Sequence, residues 1–518
     1  MRTVRILWTD DEIEALKPHI IFLREKGYEV DSCSNGTDTI DLIKQNHYDL
    51  VFLDENMPGL SGMETLRLIR DIRTDLPVVM VTKSEEEELM ESAIGSEISD
   101  YLIKPVKPKQ ILLAIKKILD HRRIITEKTT SEYQQDFGKI SQLISSASTF
   151  NDWTELYRKI VNWELELEKS IDSGLSEIHS TQETEANFSF SKFIMNNYLN
   201  WLKPENTARP ILSPALFQKK VFPLMNTGET LFFILIDNMR YDQWKTISSS
   251  LTGMYRIVEE DFYASILPTA TQFSRNAIFA GLMPNKIAEN MPALWVNDDE
   301  EEGKNNFEEQ FFDKQLKSRS LRFRWSYNKI SSESEGKKVN DRLRQMLDND
   351  INILVYNFVD MLSHARTEVD IIRDLAGDEK AFRSLTRSWF NHSSLFDLLR
   401  MLQSHPVKVI FTTDHGTIRV QNPVKIIGDR RTSSNLRYKM GRNLDYDPRK
   451  VFEITNPEKA MLPKTNISSR YIFALNRDYL VYQNNYNHYA AYYRDTFQHG
   501  GISMQEMLLP VVHLEPVR

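Results

Sequence analysis

Three apolar runs in the second half of the 518-residue sequence are each followed by side chains that could bind a metal ion. The runs cover 231–236, 353–359 and 407–413 and have the length of buried strands. Because parallel strands deliver their carboxyl ends to one edge of a sheet, we expect the groups that follow to lie together. Those groups are Asp237; Asp360 with His364; and Asp414 with His415 and Gly416.

Two further groups complete a candidate site for chemistry at phosphorus. His499 precedes a Gly-Gly pair near the C-terminal end, and Thr271 stands where a helix is predicted to begin. A hydroxyl at a helix N-terminus lies where an anion is favoured, which suits a nucleophile that attacks phosphorus. The alternative, with about equal weight for this stretch alone, is that Thr269 or Thr271 only caps the helix.

The ligand chemistry favours zinc, with manganese as the weaker possibility, because the donors are nitrogen and oxygen without thiolate. Three carboxylates and three imidazoles are too many for one tetrahedral ion. They suit two ions with Thr271 as a further ligand, and such a pair stabilises the attacking and leaving oxygens of a phosphoryl displacement. Arg275, one helical turn after Thr271, is a weaker candidate for a contact to a substrate phosphate.

A second set of polar groups follows four short strands in the first 120 residues. Carboxylates that share one edge repel each other unless a cation joins them, and magnesium suits an all-oxygen site. A carboxylate that faces a hydroxyl and a lysine is arranged to accept a phosphoryl group. The groups are Asp10 and Asp11, Asp54, Thr82, Tyr101, and Lys104 with Pro105.

The elements that position these groups predict an α/β protein of three parts. Strands alternate with helices over 1–120, which predicts a doubly wound parallel sheet. Apolar residues at helical spacing predict a helical bundle over 121–207, with Asn151 or Asp152 as one cap and the tryptophans in the core. A larger α/β domain is expected over 208–518.

Composition excludes several classes of protein. The net charge of −8 argues against a protein that coats nucleic acid. The single cysteine, Cys33, rules out an intramolecular disulfide and a cysteine-rich zinc site. No apolar run approaches the roughly 20 residues that a membrane helix needs, and the N-terminus does not have the pattern of a signal peptide. We therefore expect a cytoplasmic protein without a membrane segment.

The first 120 residues resemble the response-regulator receiver family. The matching residues are Asp10, Asp11, Asp54, Thr82, Tyr101, Lys104-Pro105 and the run Met57-Pro58-Gly59; Ser61 stands where the family usually has aspartate. The resemblance implies that Asp54 is the phosphoacceptor and that Asp10 and Asp11 hold Mg²⁺ beside it. It also implies that Thr82, Tyr101 and Lys104 form the receiver switch, with a cis bond at Lys104-Pro105.

The C-terminal 300 residues resemble the alkaline phosphatase superfamily, in particular its PglZ branch. The ordered residues Asp237, Thr271, Asp360, His364, Asp414, His415 and His499 carry this resemblance. It implies one zinc site of Asp237, Thr271, Asp414 and His415, and a second of Asp360, His364 and His499. Pro268-Thr-Ala-Thr271 is similar to the nucleophile motif of the phosphodiesterase members, which favours diesters over monoesters.

The whole arrangement resembles the PorX-type response regulators linked to type IX secretion. The resemblance implies a sensor histidine kinase as partner and a homodimer that forms on phosphorylation; no DNA-binding motif is present in the sequence. Two functions are compatible with these patterns. One is a phosphodiesterase of nucleotide-type substrates, and the other is a non-catalytic module that docks a sigma factor or a secretion component. The basic segment 419–450 is either a rim that attracts a polyanion or a solvated face.

Overall fold

The computed structural model describes residues 3–73, 76–83, 98–169, 173–296, 305–368, 377–428, 433–464 and 468–517, with the side chains of 120–128, 173, 226–227 and 365–368 excepted. The chain forms two compact units, Met1–Glu132 and Tyr133–Arg518. The helix Pro108–Ser146 begins in the first unit and ends in the second. Within the described residues, every helix falls short of the length or apolar character that a membrane crossing requires.

The first unit is built on a five-stranded parallel sheet in the order β2-β1-β3-β4-β5. Its strands are β1 (Arg5–Thr9), β2 (Glu29–Cys33), β3 (Leu50–Asp54), β4 (Val78–Thr82) and β5 (Asp100–Ile103). The helices are Lys17–Glu25, Gly36–Gln45, Gly62–Ile72 and the start of Pro108–Ser146, with a 3₁₀ turn at Ile13–Leu16.

Apolar residues on both faces of this sheet explain why helices cover it on two sides. One core contains Ile20 and Ile111, from the first and last of these helices. The opposite core contains Ile40 and Leu66, from the two helices between them. The central strands β3 and β4 are fully buried. This three-layer arrangement confirms the predicted doubly wound sheet.

The helices that follow are long and pack with the second unit. The helices Phe150–Leu167 and Ser173–Trp201 contribute side chains to the same core as the central sheet of that unit. Trp153 is buried in this core, as predicted. The predicted cap was wrong by a few residues, because Thr149 is the N-cap and Asp152 completes the capping box at the third helical position.

The second unit has thirteen strands. They are β6 (Thr230–Ile236), β7 (Tyr255–Ala264), β8 (Trp325–Ile330), β9 (Ile351–Tyr356), β10 (Val407–Thr412), β11 (Ile418–Arg419), β12 (Asn422–Ile426), β13 (Tyr438–Gly441), β14 (Val451–Ile454), β15 (Arg470–Ala474), β16 (Asp478–Tyr482), β17 (Phe497–Gln498) and β18 (Leu508–Pro516), all within the described residues.

Six of these strands form the central sheet in the order β7-β18-β10-β6-β9-β8. The strands β10, β6, β9 and β8 are parallel to one another, while β18 pairs antiparallel with β10 and β7. Along β6, Phe232 and Ile234 face one core while Leu231 and Phe233 face the other. The sheet is therefore buried on both sides, and its carboxyl edge is left to carry polar groups.

The helices of this unit connect and cover the central sheet. After Ser173–Trp201 they are Tyr241–Ser248, Thr271–Ala280, Pro284–Asn290, Glu308–Ser318, Glu333–Asn340, Leu343–Met346, Phe358–Glu368, Glu379–Asn391, Ser394–Leu402, Tyr486–Tyr493 and Met504–Met507. Shorter 3₁₀ turns lie at Ser213–Ala215, Phe222–Thr227, Ser249–Leu251, Pro448–Lys450 and Pro457–Ala460, with a π turn at Phe217–Val221.

Residues 416–498 form an insert between β10 and β18 that has its own small sheets. These pair β11 with β17, β12 with β16, and β13 and β14 with β15. The insert has two small cores of its own, around Ile472 and around Tyr479. Its chain begins directly after His415 and ends directly before His499, so both ends of the insert lie at predicted metal ligands.

Candidate functional site

The predicted acids of the second unit gather at the carboxyl edge of the central sheet. Asp237 follows β6 directly, and Asp414 lies two residues after the end of β10. The expectation for Asp360 was wrong in detail, because β9 ends at Tyr356 and Asp360 lies in the first turn of the helix Phe358–Glu368. The four-residue spacing therefore places Asp360 and His364 on one face of a helix rather than beyond a strand.

Asp237, Asp414 and His415 form the first cluster, in which one ligand atom of each lies within 4.8 Å of the others. All three side chains are buried. The Nε2 atom of His415 is 3.7 Å from Asp237 Oδ1 and 3.7 Å from Asp414 Oδ2. The Nδ1 atom lies 3.2 Å from the carbonyl oxygen of Gly416. An N–H at Nδ1 can donate to this carbonyl, which leaves the Nε2 lone pair facing the two acids.

Thr271 adjoins the first cluster. Its Oγ1 atom is 3.0 Å from Nε2 of His415. Thr271 is the first residue of the helix Thr271–Ala280, and the N-cap is Ala270, which has no side-chain capping bond. Thr269 is also not a cap, because its hydroxyl donates to Gly501 O at 2.9 Å and accepts from Gly500 N at 3.1 Å. Neither threonine therefore caps this helix, and its N-cap residue makes no side-chain hydrogen bond to the first turn.

Asp360, His364 and His499 form the second cluster, again with one ligand atom of each within 4.8 Å of the others. The Oδ1 atom of Asp360 is 3.6 Å from Nε2 of His364 and 3.8 Å from Nε2 of His499. The Nδ1 atom of His499 lies 3.3 Å from Thr269 O, so its Nε2 is directed to the cluster. The His364 side chain is 61% exposed, which leaves this cluster open to solvent on one side.

The two clusters are neighbours. The rings of His415 and His499 stack with their centroids 4.3 Å apart. This arrangement brings together all six of the predicted carboxylate and imidazole ligands, with Thr271 beside them. Their role as metal ligands remains a prediction.

Asn238 links the two clusters and was missed in the sequence. Its backbone N–H donates to Asp414 Oδ1 at 3.4 Å, and its side-chain Nδ2 donates to Asp360 Oδ1 at 3.2 Å and to Ser363 Oγ at 3.1 Å. Asn238 is fully buried and has a φ of 63°, a left-handed conformation that asparagine tolerates better than most residues. The Asp-Asn pair after a buried strand was the only sequence sign of this role.

Arg275 is fully buried beside the first cluster. Its guanidinium pairs with Asp237 Oδ2, donates from Nε to Asp414 Oδ2 at 3.0 Å and lies 3.5 Å from Glu308 Oε1. Arg275 therefore contacts the Oδ2 atoms of Asp237 and Asp414 and not their Oδ1 atoms. The structure therefore places Arg275 against the acids, whereas the sequence suggested a contact to substrate phosphate.

The protonation tendencies of the clusters follow from burial and charge. Burial raises the pKa of Asp237 well above its usual range, with Arg275 opposing and Asp414 adding to the rise. Burial also tends to raise the pKa of Asp414, but the charges of Arg275 and His415 bring it below its usual value. Burial and two neighbouring imidazoles lower the pKa of His499 well below its usual value. This lowering of the pKa favours the neutral His499 ring, which is the form that binds metal.

Close packing fixes the loops that carry these residues. A β-carbon on Gly416 would lie 2.0 Å from the backbone oxygen of Gln505, so only glycine fits directly after His415. Glu506 receives two hydrogen bonds from the buried Arg437, at 3.1 and 2.6 Å, and one from Gly501 N at 2.9 Å. The segments that hold His415 and His499 are therefore joined through residues 505 and 506.

The donors in both clusters fit metal ions. Among the described residues, Asp237 Oδ1 is a buried carboxylate oxygen without a hydrogen-bond partner, and it points to Nε2 of His415. A buried, unsatisfied carboxylate oxygen is costly unless a cation or donor meets it. The sets of carboxylate oxygen and imidazole nitrogen match the preferences of zinc.

The predicted groups of the first unit also converge. Asp10, Asp11 and Asp54 each offer an oxygen within 4.8 Å of the others. Nζ of Lys104 lies 2.8 Å from both Asp10 and Asp54. Burial raises the pKa of Asp54, with Lys104 opposing the rise and Asp10 adding to it. An all-oxygen set of this kind suits Mg²⁺.

The predicted switch residues lie on the adjacent strands. Thr82 ends β4 and is buried, whereas Tyr101 on β5 is 39% exposed. The Lys104-Pro105 bond is cis, as predicted. A second cis bond joins Leu267 to Pro268, shortly before Thr271.

Neither predicted alternative, a basic rim or a solvated face, describes the whole segment 419–450, because some of its cations are buried and others are exposed. Arg437 and Lys439 are buried, whereas Lys425 and Arg449 are exposed. Arg430 and Arg431 lie outside the described residues.

Three family models match the chain in succession. The receiver domain of response regulators matches 6–116, and the linker domain of PorX response regulators matches 123–202. The alkaline phosphatase-like domain of PglZ from BREX systems matches 216–514, which is more than half of the chain. The chain belongs to the PglZ family, as a PorX-type response regulator. It is thus a two-component response regulator with a receiver domain and a PglZ output domain, and a receiver implies a phosphodonor such as a sensor kinase.

Two curated relatives each match less than a quarter of the chain. The regulatory protein VanRB of Enterococcus faecalis is 34% identical over 117 residues, which cover 23% of this chain and 53% of that protein. The transcriptional regulatory protein ResD of Bacillus subtilis is 32% identical over 115 residues, which cover 22% of this chain and 48% of that protein. The chain spans about half the length of these curated relatives.

Solved structures of response-regulator proteins match a similar share of the chain. A CheY-like receiver from Methanospirillum hungatei is 28% identical with a TM-score of 0.23, covering 23% of this chain and 96% of that one. The response regulator TrrA of Thermotoga maritima, solved with Mg²⁺ and BeF, is 30% identical with a TM-score of 0.21. The match covers 22% of this chain and 99% of that one.

Proposed function

We propose that the PglZ domain is a two-zinc phosphodiesterase of nucleotide-type substrates. The observation that carries the proposal is the placement of Thr271, with its hydroxyl 3.0 Å from His415 and beside two adjoining clusters of carboxylate and imidazole. Thr271 Oγ1 is the nucleophile. Its hydroxyl loses a proton and its oxygen bonds to phosphorus while the bond from phosphorus to the leaving oxygen breaks, which frees one alcohol. Water then cleaves the bond from phosphorus to Thr271, releases a phosphomonoester and restores the hydroxyl.

The chain's own residues prepare this attack. The N-terminus of the helix Thr271–Ala280 has no side-chain cap, so its N–H groups can hold a phosphoryl oxygen. Arg275 holds the two acids of the first cluster in place. The Gly416 and Thr269 carbonyls orient the His415 and His499 rings.

Zinc would be held by Asp237, Thr271, Asp414 and His415 in the first site and by Asp360, His364 and His499 in the second. When bound, the two ions supply positive charge for the attacking and leaving oxygens and lower the pKa of a hydroxyl. Thr271 in the nucleophile position, and the absence from the sequence of a recognisable third metal site, favour diesters over monoesters.

The proposal extends to the signal that governs the enzyme. A sensor histidine kinase would phosphorylate Asp54 in the presence of Mg²⁺ held by Asp10, Asp11 and Asp54, with Thr82, Tyr101 and Lys104 responding. Phosphorylation would promote a homodimer. The link to type IX secretion, and to a sigma factor or secretion component as partner, rests on the likeness to PorX regulators alone.

The test of the enzymatic proposal compares two substrates of similar leaving group. The zinc-loaded protein should hydrolyse bis(p-nitrophenyl) phosphate with a kcat/KM at least about tenfold above that for p-nitrophenyl phosphate. A preference for the monoester would overturn the diester assignment. Full zinc occupancy with turnover of neither substrate would favour the docking module, in which the metal site is structural.

We also expect Asn238 to position Asp360 for the second zinc ion. Asn238→Gly tolerates the left-handed backbone and deletes only the amide that bonds Asp360. Loss of a group that orients a ligand typically weakens metal affinity by about ten- to a hundredfold, so one of the two zinc ions should bind more weakly. A competition titration with a chromophoric chelator measures this.

The matched control is Asn443→Gly, because Asn443 is also left-handed, with a φ of 44°, but is exposed in the insert. Its zinc affinities should equal those of the wild type. If Asn238→Gly also binds both ions with wild-type affinity, Asn238 does not position the site.

A further inference from the structure

A cavity of about 740 Å³ lies in the insert, between the residues that directly follow β12, the strands β13 and β16, and the helix Tyr486–Tyr493. Its volume falls in the range of small-molecule sites. The lining residues come from four places: the two residues after β12, the segment 433–441, the end of β16 with the two residues that follow it, and the helix Tyr486–Tyr493. None of the predicted metal ligands lines it.

The walls of this cavity contain three tyrosine rings and one lysine. Tyr482, Tyr489 and Tyr493 contribute rings, and those of Tyr489 and Tyr493 lie nearly parallel, 16° apart. Nζ of Lys439 is 4.4 Å from the centroid of the Tyr482 ring and donates to two backbone carbonyls. Among the described residues that line the cavity, none is a carboxylate. These walls favour a planar ring that belongs to an anion.

The insert connects this cavity to the metal clusters. Its chain leaves the first cluster after His415 and returns to the second at His499. Within the segment 433–441, Tyr438 lies against Gly500, the neighbour of His499, and stacks edge-on with Phe273, 5.8 Å away. Leu436 and Lys439 of the same segment line the cavity. One short segment therefore contacts the surroundings of the metal site on one side and the cavity on the other.

We propose that this cavity is a subsite for a nucleobase of the substrate. The inference rests on the proposed phosphodiesterase function and names the residues that would recognise one end of its substrate. A base stacks on Tyr489, which is 40% exposed at the cavity and therefore available to a ligand. Gln483 and Asn484 at the rim offer amide donors and acceptors to the edge of the base.

The experiment uses the full-length, zinc-loaded protein with a dinucleotide diester and an analogue that lacks one base. Tyr489→Ala should raise KM for the dinucleotide about tenfold, since stacking of one base on an aromatic ring contributes roughly that factor or more. Its kcat should remain unchanged. The KM for the base-free analogue should not respond, and Tyr489→Phe should restore the wild-type KM because it keeps the ring.

Tyr492→Ala is the matched control. Tyr492 lies on the same helix and is 38% exposed, but it does not line the cavity. It should leave both KM values unchanged. If Tyr489→Ala and wild type have equal KM values for the dinucleotide, the subsite is wrong while the phosphodiesterase proposal stands.

A binding measurement separates the two proposals when neither substrate is hydrolysed. Calorimetric titration of the dinucleotide into wild type and Tyr489→Ala should then still show about tenfold weaker binding to the variant. Equal binding to both proteins, or equal binding of the dinucleotide and the base-free analogue to wild type, would overturn the subsite.

Discussion

Thr271→Ala should lower kcat for phosphodiester hydrolysis by at least about 10³-fold, because it removes the nucleophile that we propose for a covalent mechanism. The variant should still bind two zinc ions, since Asp237, Asp414 and His415 remain in the first cluster. Initial rates with bis(p-nitrophenyl) phosphate, together with zinc content by elemental analysis of the same sample, measure both effects.

Two substitutions serve as controls for Thr271→Ala. Thr271→Ser keeps a hydroxyl at the same position and should retain measurable turnover. Thr269→Ser changes a threonine two residues away whose hydroxyl bonds Gly500 and Gly501, and it should leave kcat close to that of the wild type. Turnover by Thr271→Ala at the wild-type rate would mean that another group attacks phosphorus.

Asp54→Asn should abolish phosphorylation of the receiver by a small phosphodonor such as acetyl phosphate. Asp54 lies at the end of β3 beside Asp10 and Asp11, with Nζ of Lys104 at 2.8 Å, and we propose it as the residue that accepts the phosphoryl group. An amide in its place has no carboxylate oxygen that can form an acyl phosphate. Mass spectrometry of the intact protein after incubation with Mg²⁺ and acetyl phosphate measures the modified fraction.

Asp49→Asn is the control for this substitution. Asp49 precedes the same strand at its opposite end, and an asparagine there can still accept the hydrogen bond from Arg5 N. It should be phosphorylated like the wild type. Undiminished phosphorylation of Asp54→Asn would show that a different residue is the acceptor.

The parts of the site that the sequence predicted are those that follow from sheet geometry. Asp237 and Asp414 come after buried apolar runs, and parallel strands β6 and β10 bring the ends of such runs to one edge. The same reasoning placed Asp54 at the end of β3. The alternation of predicted strands and helices along the chain was also enough to predict the α/β class.

The parts that the sequence did not predict depend on contacts between distant residues. The roles of Asn238 and Arg275 arise from bonds to Asp360 and Asp414, more than 100 residues away. The strand end before Asp360 was misjudged because Phe358 and Val359 continue the apolar pattern after Asn357, although the helix has already begun at Phe358. The pattern of apolar residues does not show where this strand ends or which distant residues will be in contact, because the tertiary fold decides both.

The insert 416–498 is another region in which the sequence did not predict which charged side chains are buried. The sequence of 419–450 suggested a basic rim or face, but Arg437 is buried by its pair with Glu506 and Lys439 lies inside a cavity wall. Arg437 finds its partners on β16 and in the segment after His499, and Lys439 lies over the Tyr482 ring of β16, so counting charges along the chain could not predict their burial. The same folding creates the cavity for which we propose a nucleobase.

The most direct test of the two-zinc phosphodiesterase measures zinc and turnover on one preparation. Protein stripped with a chelator is titrated with zinc while bound metal per chain and hydrolysis of bis(p-nitrophenyl) phosphate are followed together. We predict no turnover in the stripped protein and a rate that rises until two zinc ions are bound to the PglZ domain. Two bound zinc ions without turnover, or undiminished turnover after the metal is removed, would contradict the proposal.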